Sequence, residues 1–357
     1  MLVVAKGHQP QFVSKVDPFT GPIEAVLKPV NQASLGPKNQ LRGRVVGPDN
    51  QPLVGAVVNF ESYTSGQGGY GGQVEGFDPL AVTDDTGAFR LTGDTPFDSM
   101  DVTVEARGFA KKHFTQLASG TKRHQLAVNI GGSVTGRVLL DGKPLKGVAM
   151  GMVSVSRSMG EFTGDFEFGT REDGGFQFVN LPPNTDYFLY GKAASLKEHG
   201  AISTRRIRVN GDGSTTDAGE LAVKSGLRLA GRVVLSDGSE IPQHTRVTVG
   251  WRDAWDVVFT DLDDAGRFEF RNLPPGSLSV STRLAGYRFS AKNASLETLN
   301  PYSLRGRLDA DKTDLAVLLE LGPDLKANVS AFAGAPDDQA ENLPLRGSEA
   351  TQDTATR

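Results

Sequence analysis

The sequence predicts an all-β protein, a tandem array of three β-sandwich modules. Two markers repeat along it about 94 residues apart: Gly-Arg-Val starts at Gly43, Gly136 and Gly231, and Leu-Ala-Val starts at Leu126, Leu221 and Leu315. Solenoid repeats are much shorter, roughly 20 to 50 residues, so each unit here is long enough to bury its own core. The 43 Gly and 19 Pro, with Val, Leu and Phe in short bursts, are typical of short strands joined by tight turns.

Charge and cysteine content exclude several classes of function. The chain carries 38 Lys+Arg against 42 Asp+Glu, a net charge of -4, and its basic residues are scattered along the sequence. A nucleic-acid-binding protein is expected to cluster its basic residues in a patch or stripe, so a nucleic-acid partner is not predicted. Because there is no cysteine, neither a disulfide nor a thiolate metal site is possible.

Each module repeats the same order of elements. It opens with a strand, a polar turn and a second strand, as in LRGRVVGPDNQPLVGAVVNF from Leu41. A hairpin follows, as in TREDGGFQF from Thr170, in which Asp and Gly are expected to supply the positive φ angles of a tight turn. The alternation predicts that Phe176 and Phe178, like Phe268 and Phe270, share one buried face.

A Pro-Pro turn and a further strand complete the later modules. The turns are NLPPN at 180–184 and NLPPG at 272–276, where Pro fixes φ and stops the strand pairing. The first module has GDTPFDS instead. The modules are therefore predicted at 39–132, 133–226 and 227–322.

The two ends of the chain differ from these modules. VVAKGH at 3–8 matches the end of a module's later strand and IEAVLKP from Ile23 resembles the Leu-Ala-Val strand, so residues 1–30 are expected to be a partial module, as in a fragment, followed by a linker at 31–38. Residues 334–357 have almost no apolar content, and the stretch 323–357 is expected to form a disordered polar tail. Neither a signal peptide nor a transmembrane segment is recognised.

The ordered motifs G-R-V, D-G-x-P-L-x-G, T-x-D-x-x-G-x-F-x-F, N-L-P-P-G and V-x-A-x-G-[FY] resemble the carboxypeptidase regulatory-like domain over about residues 39 to 322. This resemblance implies a Greek-key sandwich of seven or eight strands like transthyretin, as found in bacterial envelope and surface proteins. The first module departs at the Pro-Pro turn, and the third replaces the small residues of its second strand with IPQHTRVTVG. The family is named after zinc carboxypeptidases, but no histidine here has Glu three residues later.

No motif predicts catalysis, a cofactor or a catalytic residue. GQGGYGG at 66–72 contains G-x-G-x-x-G, but Gly76 and Pro79 follow where a dinucleotide site needs a helix, so a flexible loop is expected. Glu161 with Asp165 is a weak candidate for a pair of glycosidase carboxylates.

Acidic turns are the candidates for a metal site. Asp261, Asp263 and Asp264 could place oxygens around calcium, as could Asp84/Asp85 or Glu172/Asp173 less favourably. The alternative is a plain hairpin turn, which uses Asp and Gly for local reasons.

Four aromatic side chains are the candidates for sugar stacking: Trp255, Trp251, Tyr63 and Tyr70. Trp251 shares parity with Val247 and Val249 and is therefore better explained as core, whereas Trp255 follows at an expected turn. The repeated arginines, Arg44, Arg137 and Arg232, are expected to form a solvated strand face.

The sequence favours a non-catalytic structural or interaction protein, a stiff rod of modules that spaces or presents something within a larger extracytoplasmic protein. Its expected partner is a protein or a polysaccharide, without nucleic acid, cofactor or direct membrane insertion. The alternative is a carbohydrate-binding array whose weak sites gain avidity because they are linked, and an enzyme ranks third.

Overall fold

The computed structural model describes residues 36–322 except 67, 73, 157–165, 294 and 295, together with residues 2, 3, 5, 8, 11–13, 21, 24–27 and 29. Strands dominate this part of the chain, which confirms the all-β fold class. The chain divides into two compact units, Met1–Lys224 and Ser225–Arg357.

The first unit begins with a short antiparallel pair, β1 (Leu2–Val3) and β2 (Gln11–Phe12), and a 3-10 helix (Pro37–Asn39). Val3 pairs with Gln11, and in the module that follows Val104 pairs with Lys112. The two paired residues are separated by the same number of positions in both cases. The partial module stays a prediction, because most of residues 1–35 lie outside the described residues.

Eight strands of the first unit form what we call the first module: β3 (Gln40–Val46), β4 (Val57–Ser65), β5 (Gly68–Gly71), β6 (Leu80–Val82), β7 (Ala88–Thr92), β8 (Ser99–Glu105), β9 (Lys112–Ala118) and β10 (Arg123–Ala127). The second module, in the same unit, contains β11 (Gly132–Leu140), β12 (Lys143–Pro144), β13 (Ala149–Ser154), β14 (Phe166–Gly169), β15 (Gly175–Leu181), β16 (Thr185–Gly191), α1 (Ala193–Leu196), β17 (Arg205–Val209) and β18 (Thr215–Val223).

The second unit holds the third module: β19 (Leu227–Leu235), β20 (Arg246–Trp251), β21 (Val257–Asp261), β22 (Arg267–Leu273), β23 (Gly276–Ser281), β24 (Tyr287–Phe289), β25 (Glu297–Asn300), β26 (Ser303–Leu308) and β27 (Lys312–Leu321). The predicted module boundaries, at 39–132, 133–226 and 227–322, stay predictions, as does the tail at 323–357, which lies outside the described residues.

All three modules share one topology. The front sheet, which we define as the sheet containing the first long strand of a module, has the order β10-β3-β7, β18-β11-β15 or β27-β19-β22. The outer strand β10, β18 or β27 runs parallel to that first strand, and the other runs antiparallel. The back sheets are built on β4-β8-β9, β14-β13-β16-β17 and β21-β20-β23-β26. The chain therefore crosses between sheets repeatedly within every module.

The Gly-Arg-Val triplet is explained by three separate contacts. A methyl group on Gly43, Gly136 or Gly231 would lie less than 3.0 Å from the ring of the phenylalanine opposite, which is Phe89, Phe176 or Phe268. The valines, Val45, Val138 and Val233, are at most 2% exposed and belong to the cores. The glycine thus admits the ring, and the valine packs beside it.

The arginines of the triplet point to the solvent, as predicted, and they also contact the hairpin turn. Arg44 Nε donates to Thr86 O at 2.9 Å, and Arg232 Nε donates to Ala265 O at 2.7 Å. Arg137 lies 4.0 Å from the Asp173 carboxylate. Each arginine therefore connects the first strand to the turn before the phenylalanine strand.

The hairpin turns use glycine and aspartate for different purposes. Gly87, Gly174 and Gly266 have φ of 73°, 70° and 73°, as a tight turn requires. The expectation that Asp also adopts positive φ is wrong for Asp84, Asp173 and Asp263. Their carboxylates instead accept backbone N–H groups two or four residues later.

The third Leu-Ala-Val triplet is displaced within its sheet. Leu126 pairs with Val45 and Leu221 with Val138, but in the third module Val317, not Leu315, pairs with the equivalent Val233. Both side chains are buried, since residues two apart in a strand share one face.

The Gly-rich segment at 66–72 contains a strand, contrary to the flexible loop that the sequence suggested. Gly68–Gly71 forms β5 and pairs antiparallel with the end of β4. The glycines of this strand therefore lie in a hairpin extension of the back sheet, not at the start of a helix.

Candidate functional site

A stack of aromatic rings lies at the end of β4 in the first module. Tyr63 stacks on Tyr70, the residue opposite it on β5, with ring centroids 5.1 Å apart, and on Phe77 at 4.3 Å. Phe77 is also 5.7 Å from Phe97, which is buried. The stack therefore extends the core outward, and Tyr70, at 42% exposure, is its most exposed member.

Two of the four predicted sugar-stacking residues are thus brought together, and the two tryptophans lie in the other unit. Trp251 is only 8% exposed, and its Nε1 donates to Pro274 O at 3.3 Å. Its ring is part of the core with Val247 and Val249. Trp255 is half-buried in the turn between β20 and β21.

A more exposed ring close to Trp255 escaped the sequence analysis. Phe259 on β21 is 57% exposed, and the Arg246 guanidinium lies 4.0 Å from the centre of its ring. Phe259 lies two residues before Asp261 and therefore shares its face of the strand, which is the signal that could have identified it.

An open groove of about 580 Å³ crosses the front sheet of the third module. Its charged lining residues are Arg228, Arg232, Arg267, Asp261, Asp263, Glu269 and Asp314. Arg228 Nε donates to Glu269 Oε1 at 2.7 Å, and this hydrogen bond lowers the pKa of Glu269. The groove lining includes no Ser, His or Cys, so it offers none of these nucleophiles or bases.

The predicted calcium residues serve other contacts. Asp263 Oδ1 accepts the backbone N–H groups of Ala265 and Arg267 at 2.9 and 2.7 Å. Asp261 lies 3.7 Å from Arg246 Nε. Among the described residues, no group of three or more His, Cys, Asp or Glu is placed to hold a metal ion. Glu161 and Asp165 lie outside the described residues.

The residues at 36–322 that are described include no helix long and apolar enough to cross a membrane. The α-helix between β16 and β17 has 4 residues.

No family model and no curated protein matches the sequence. Similarity is found to solved structures. The Bacillus anthracis TIE protein is 16% identical over 80% of this chain, with a TM-score of 0.23. The chain spans about half, 50%, of that protein's length.

Two pilins show a similar degree of likeness. A streptococcal ancillary pilin is 10% identical, with 80% of this chain and 99% of the pilin covered and a TM-score of 0.27. The minor pilin of Streptococcus agalactiae is 12% identical, with 54% of this chain and 97% of the pilin covered and a TM-score of 0.27. The resemblance to the carboxypeptidase regulatory-like domain stays a prediction.

Proposed function

We propose that this chain is a non-catalytic structural or display protein whose β-sandwich modules act as spacers, with the first two modules held at a fixed mutual orientation. The observation that carries the proposal is the junction between the first two modules, which lie in one compact unit. Only four residues, 128–131, separate β10 from β11.

These junction residues are hydrogen-bonded to both modules. Asn129 O accepts from the backbone N–H of Ala110 at 2.8 Å on the first-module side. On the other side, Asp212 in the β17–β18 turn accepts from the Gly131 N–H at 2.6 Å and from Asn129 Nδ2 at 3.4 Å. A segment tied at both ends loses the freedom of an ordinary linker.

Close packing at Gly131 restricts the junction further. Gly131 has φ of 86°, and a methyl group there would lie 2.7 Å from Leu181 O and 2.9 Å from Ala110 Cβ. Asn180 Nδ2 donates to Ile130 O at 2.9 Å. The two modules thus approach each other through a backbone that only glycine fits.

Spin-label distances test this proposal, and the absence of native cysteine makes labelling selective. We would introduce Asp85→Cys in the first module and Glu198→Cys in the second, both exposed. We expect one narrow distance distribution. Adding Asp212→Ala should broaden the distance distribution, because Asn129 and Gly131 lose the carboxylate that accepts their hydrogen bonds.

The matched control is Asp217→Ala, since Asp217 Oδ1 accepts a hydrogen bond within its own strand, from the Gly219 N–H at 2.8 Å. Its distribution should equal that of the parent. A broad distribution in the parent would contradict the spacer function.

An extracytoplasmic location, within a larger envelope or surface protein, is part of this proposal. It is supported by the motif resemblance to carboxypeptidase regulatory-like repeats. Protease treatment of intact cells should remove the chain while a cytoplasmic marker survives, and protection of the chain would contradict the location.

Carbohydrate binding is the second candidate, and the exposed Tyr70 stacked on Tyr63 favours it. Pull-down with insoluble cellulose and starch, using Tyr70→Ala and Trp255→Ala, tests it. Leu299→Ala is the control, because this side chain is similarly exposed, at 45%, and has no ring to stack on a sugar. If the parent binds neither polysaccharide, this candidate fails.

A further inference from the structure

Three arginines form a row across the front sheet of the first module. The pairing of β10, β3 and β7 places Arg123 beside Arg42 and Arg42 beside Arg90. Because neighbouring strands lie about 4.8 Å apart, the row spans about 10 Å at the backbone. Leu41 and Leu126 are buried and lie at odd spacing from Arg42 and Arg123, so the row lies on the outer face of the sheet. On that face Arg123 is exposed, and Arg42 and Arg90 are half-buried.

The positive charge of this row is not neutralised by an ion pair within the described residues. In the part of the chain that the structure describes, the ion pairs include none that involves Arg42, Arg90 or Arg123. Arg42 Nε donates to a neutral group, Gln40 Oε1, at 2.7 Å.

Asp78 is an acidic group whose charge acts on Arg90, but its carboxylate forms its hydrogen bonds to Thr92. Asp78 Oδ2 accepts from the backbone N–H and the hydroxyl of Thr92 at 2.8 and 2.6 Å. Burial lowers the pKa of Arg90, and the charge of Arg42 lowers it further, against the opposing effect of Asp78. Like charges directly opposite in a sheet destabilise it, so the row costs the module stability.

The fold does not require these arginines. The equivalent positions in the other modules, read from the same strand pairing, hold uncharged or acidic residues: Thr135 and Ala230 for Arg42, and Gln177 and Glu269 for Arg90. The three front sheets share one topology, and the front sheet of the first module is the one with arginines at these positions.

Where the third module carries arginines on its front sheet, it also carries their counter-ion. Glu269 Oε1 accepts from Arg228 Nε at 2.7 Å and from Arg271 Nε at 2.5 Å. The first module has no such group in its row, so an external anion is the natural complement.

The spacing of the row and the absence of aromatic rings beside it favour one class of polyanion. The outward side chains of β3, β7 and β10 include no aromatic ring on which a nucleic-acid base could stack. An extended acidic peptide repeats its same-face side chains about 7 Å apart, wider than the strand spacing of about 5 Å. A polysaccharide with one acidic group on each sugar repeats its charges once per sugar ring, a shorter step that is close to the spacing of the strands.

We propose that the row formed by Arg42, Arg90 and Arg123 binds an anionic polysaccharide that runs across the strands. The planar guanidinium groups donate paired hydrogen bonds to carboxylate or sulfate oxygens. Binding on this face is separate from the aromatic stack and from the module junction.

Calorimetric titration of the full chain with dextran sulfate and with polygalacturonate tests the proposal, with neutral dextran as the uncharged comparison. The triple variant Arg42→Gln/Arg90→Gln/Arg123→Gln should bind about 100-fold more weakly, since each arginine adds to attraction by an anionic surface. Binding by the parent should weaken with salt because screening acts on exposed charges.

The matched control, Arg171→Gln/Arg206→Gln/Arg208→Gln, removes three exposed charges from the second module. It should bind within about threefold of the parent, since these arginines already lie near Asp173 or Asp186.

The row variant should unfold at the same or higher urea concentration than the parent, because the repulsion between its arginines is removed. If it does not fold, Arg42→Gln alone should weaken binding about fivefold.

Several results would overturn the proposal: a parent that binds neither anionic polysaccharide, equal binding of neutral dextran, or row variants that bind like the parent. Tighter binding of a DNA duplex than of either polysaccharide would assign the row to nucleic acid instead.

Discussion

At the residue scale, the Gly-Arg-Val triplet combines three roles that hold the front sheet together. The glycine leaves room for a phenylalanine ring, the arginine contacts the hairpin turn, and the valine fills the core. The ring that fills the space over Gly136 belongs to Phe176, which is 1% exposed. A glycine in such a place is a packing requirement, not a source of flexibility.

Gly136→Ala is therefore expected to lower the free energy of unfolding by about 1 to 3 kcal/mol, the usual cost of overpacking a core. The added methyl would lie 2.5 Å from Phe176 Cζ. Urea denaturation measures the change. Gly169→Ala is the control, because no atom lies within 4 Å of a methyl there, and equal losses in the two variants would refute the packing role.

At the element scale, the segment before β6 is attached to β7 by the half-buried carboxyl of Asp78. Asp78 bonds to Thr92, and a methyl group on Gly93 would lie 2.6 Å from Phe77, so the segment packs closely on the strand end. Burial raises the pKa of Asp78 above its usual value, and outweighs the Thr92 hydrogen bonds and the Arg90 charge that lower it.

This raised pKa predicts a specific pH dependence. The folded state holds the Asp78 proton more tightly than the unfolded state, so the contribution of this group to stability falls as pH rises from its usual pKa of 3.8 to the raised value. Asp78→Asn should lack this fall. Urea midpoints from about pH 3 to about pH 7 measure it, and parallel profiles for parent and variant would contradict the assignment.

Local patterns were sufficient to predict the strands but not their lateral neighbours. Phe268 and Phe270 were predicted to share a buried face, and they do, because alternation is a property of one strand. The arginine row could not be predicted, since residues 42, 90 and 123 become neighbours only through pairing between distant strands. The stack of Tyr63 on Tyr70 likewise depends on the unexpected strand β5.

At the scale of the whole molecule, the chain divides between Lys224 and Ser225 into two compact units, and the first unit contains two hydrophobic cores, one in each of its modules. Val138 lies in the core of the second module, within the first unit, and Val249 is a core residue of the second unit, both at 0% exposure. Packed cores of this kind are the natural units of cooperative unfolding.

Val249→Ala should therefore destabilise the second unit by about 2 kcal/mol through lost burial and a cavity. Hydrogen exchange read by mass spectrometry should show faster exchange in β19–β27 and unchanged exchange in β3–β18. Val138→Ala should act on the first unit alone, and a uniform loss of protection from either substitution would indicate one cooperative unit.

The displaced Leu-Ala-Val triplet in β27 bears on how such modules diverge. Because side chains alternate across a sheet, insertions or deletions of two residues leave the inward face of a strand apolar, whereas a single-residue change reverses it. Val317 takes the place that Leu221 holds in the second module, and the core remains filled. Even-numbered length changes in the last strand are thus structurally silent, so related modules can drift out of sequence alignment while their interiors stay superimposable.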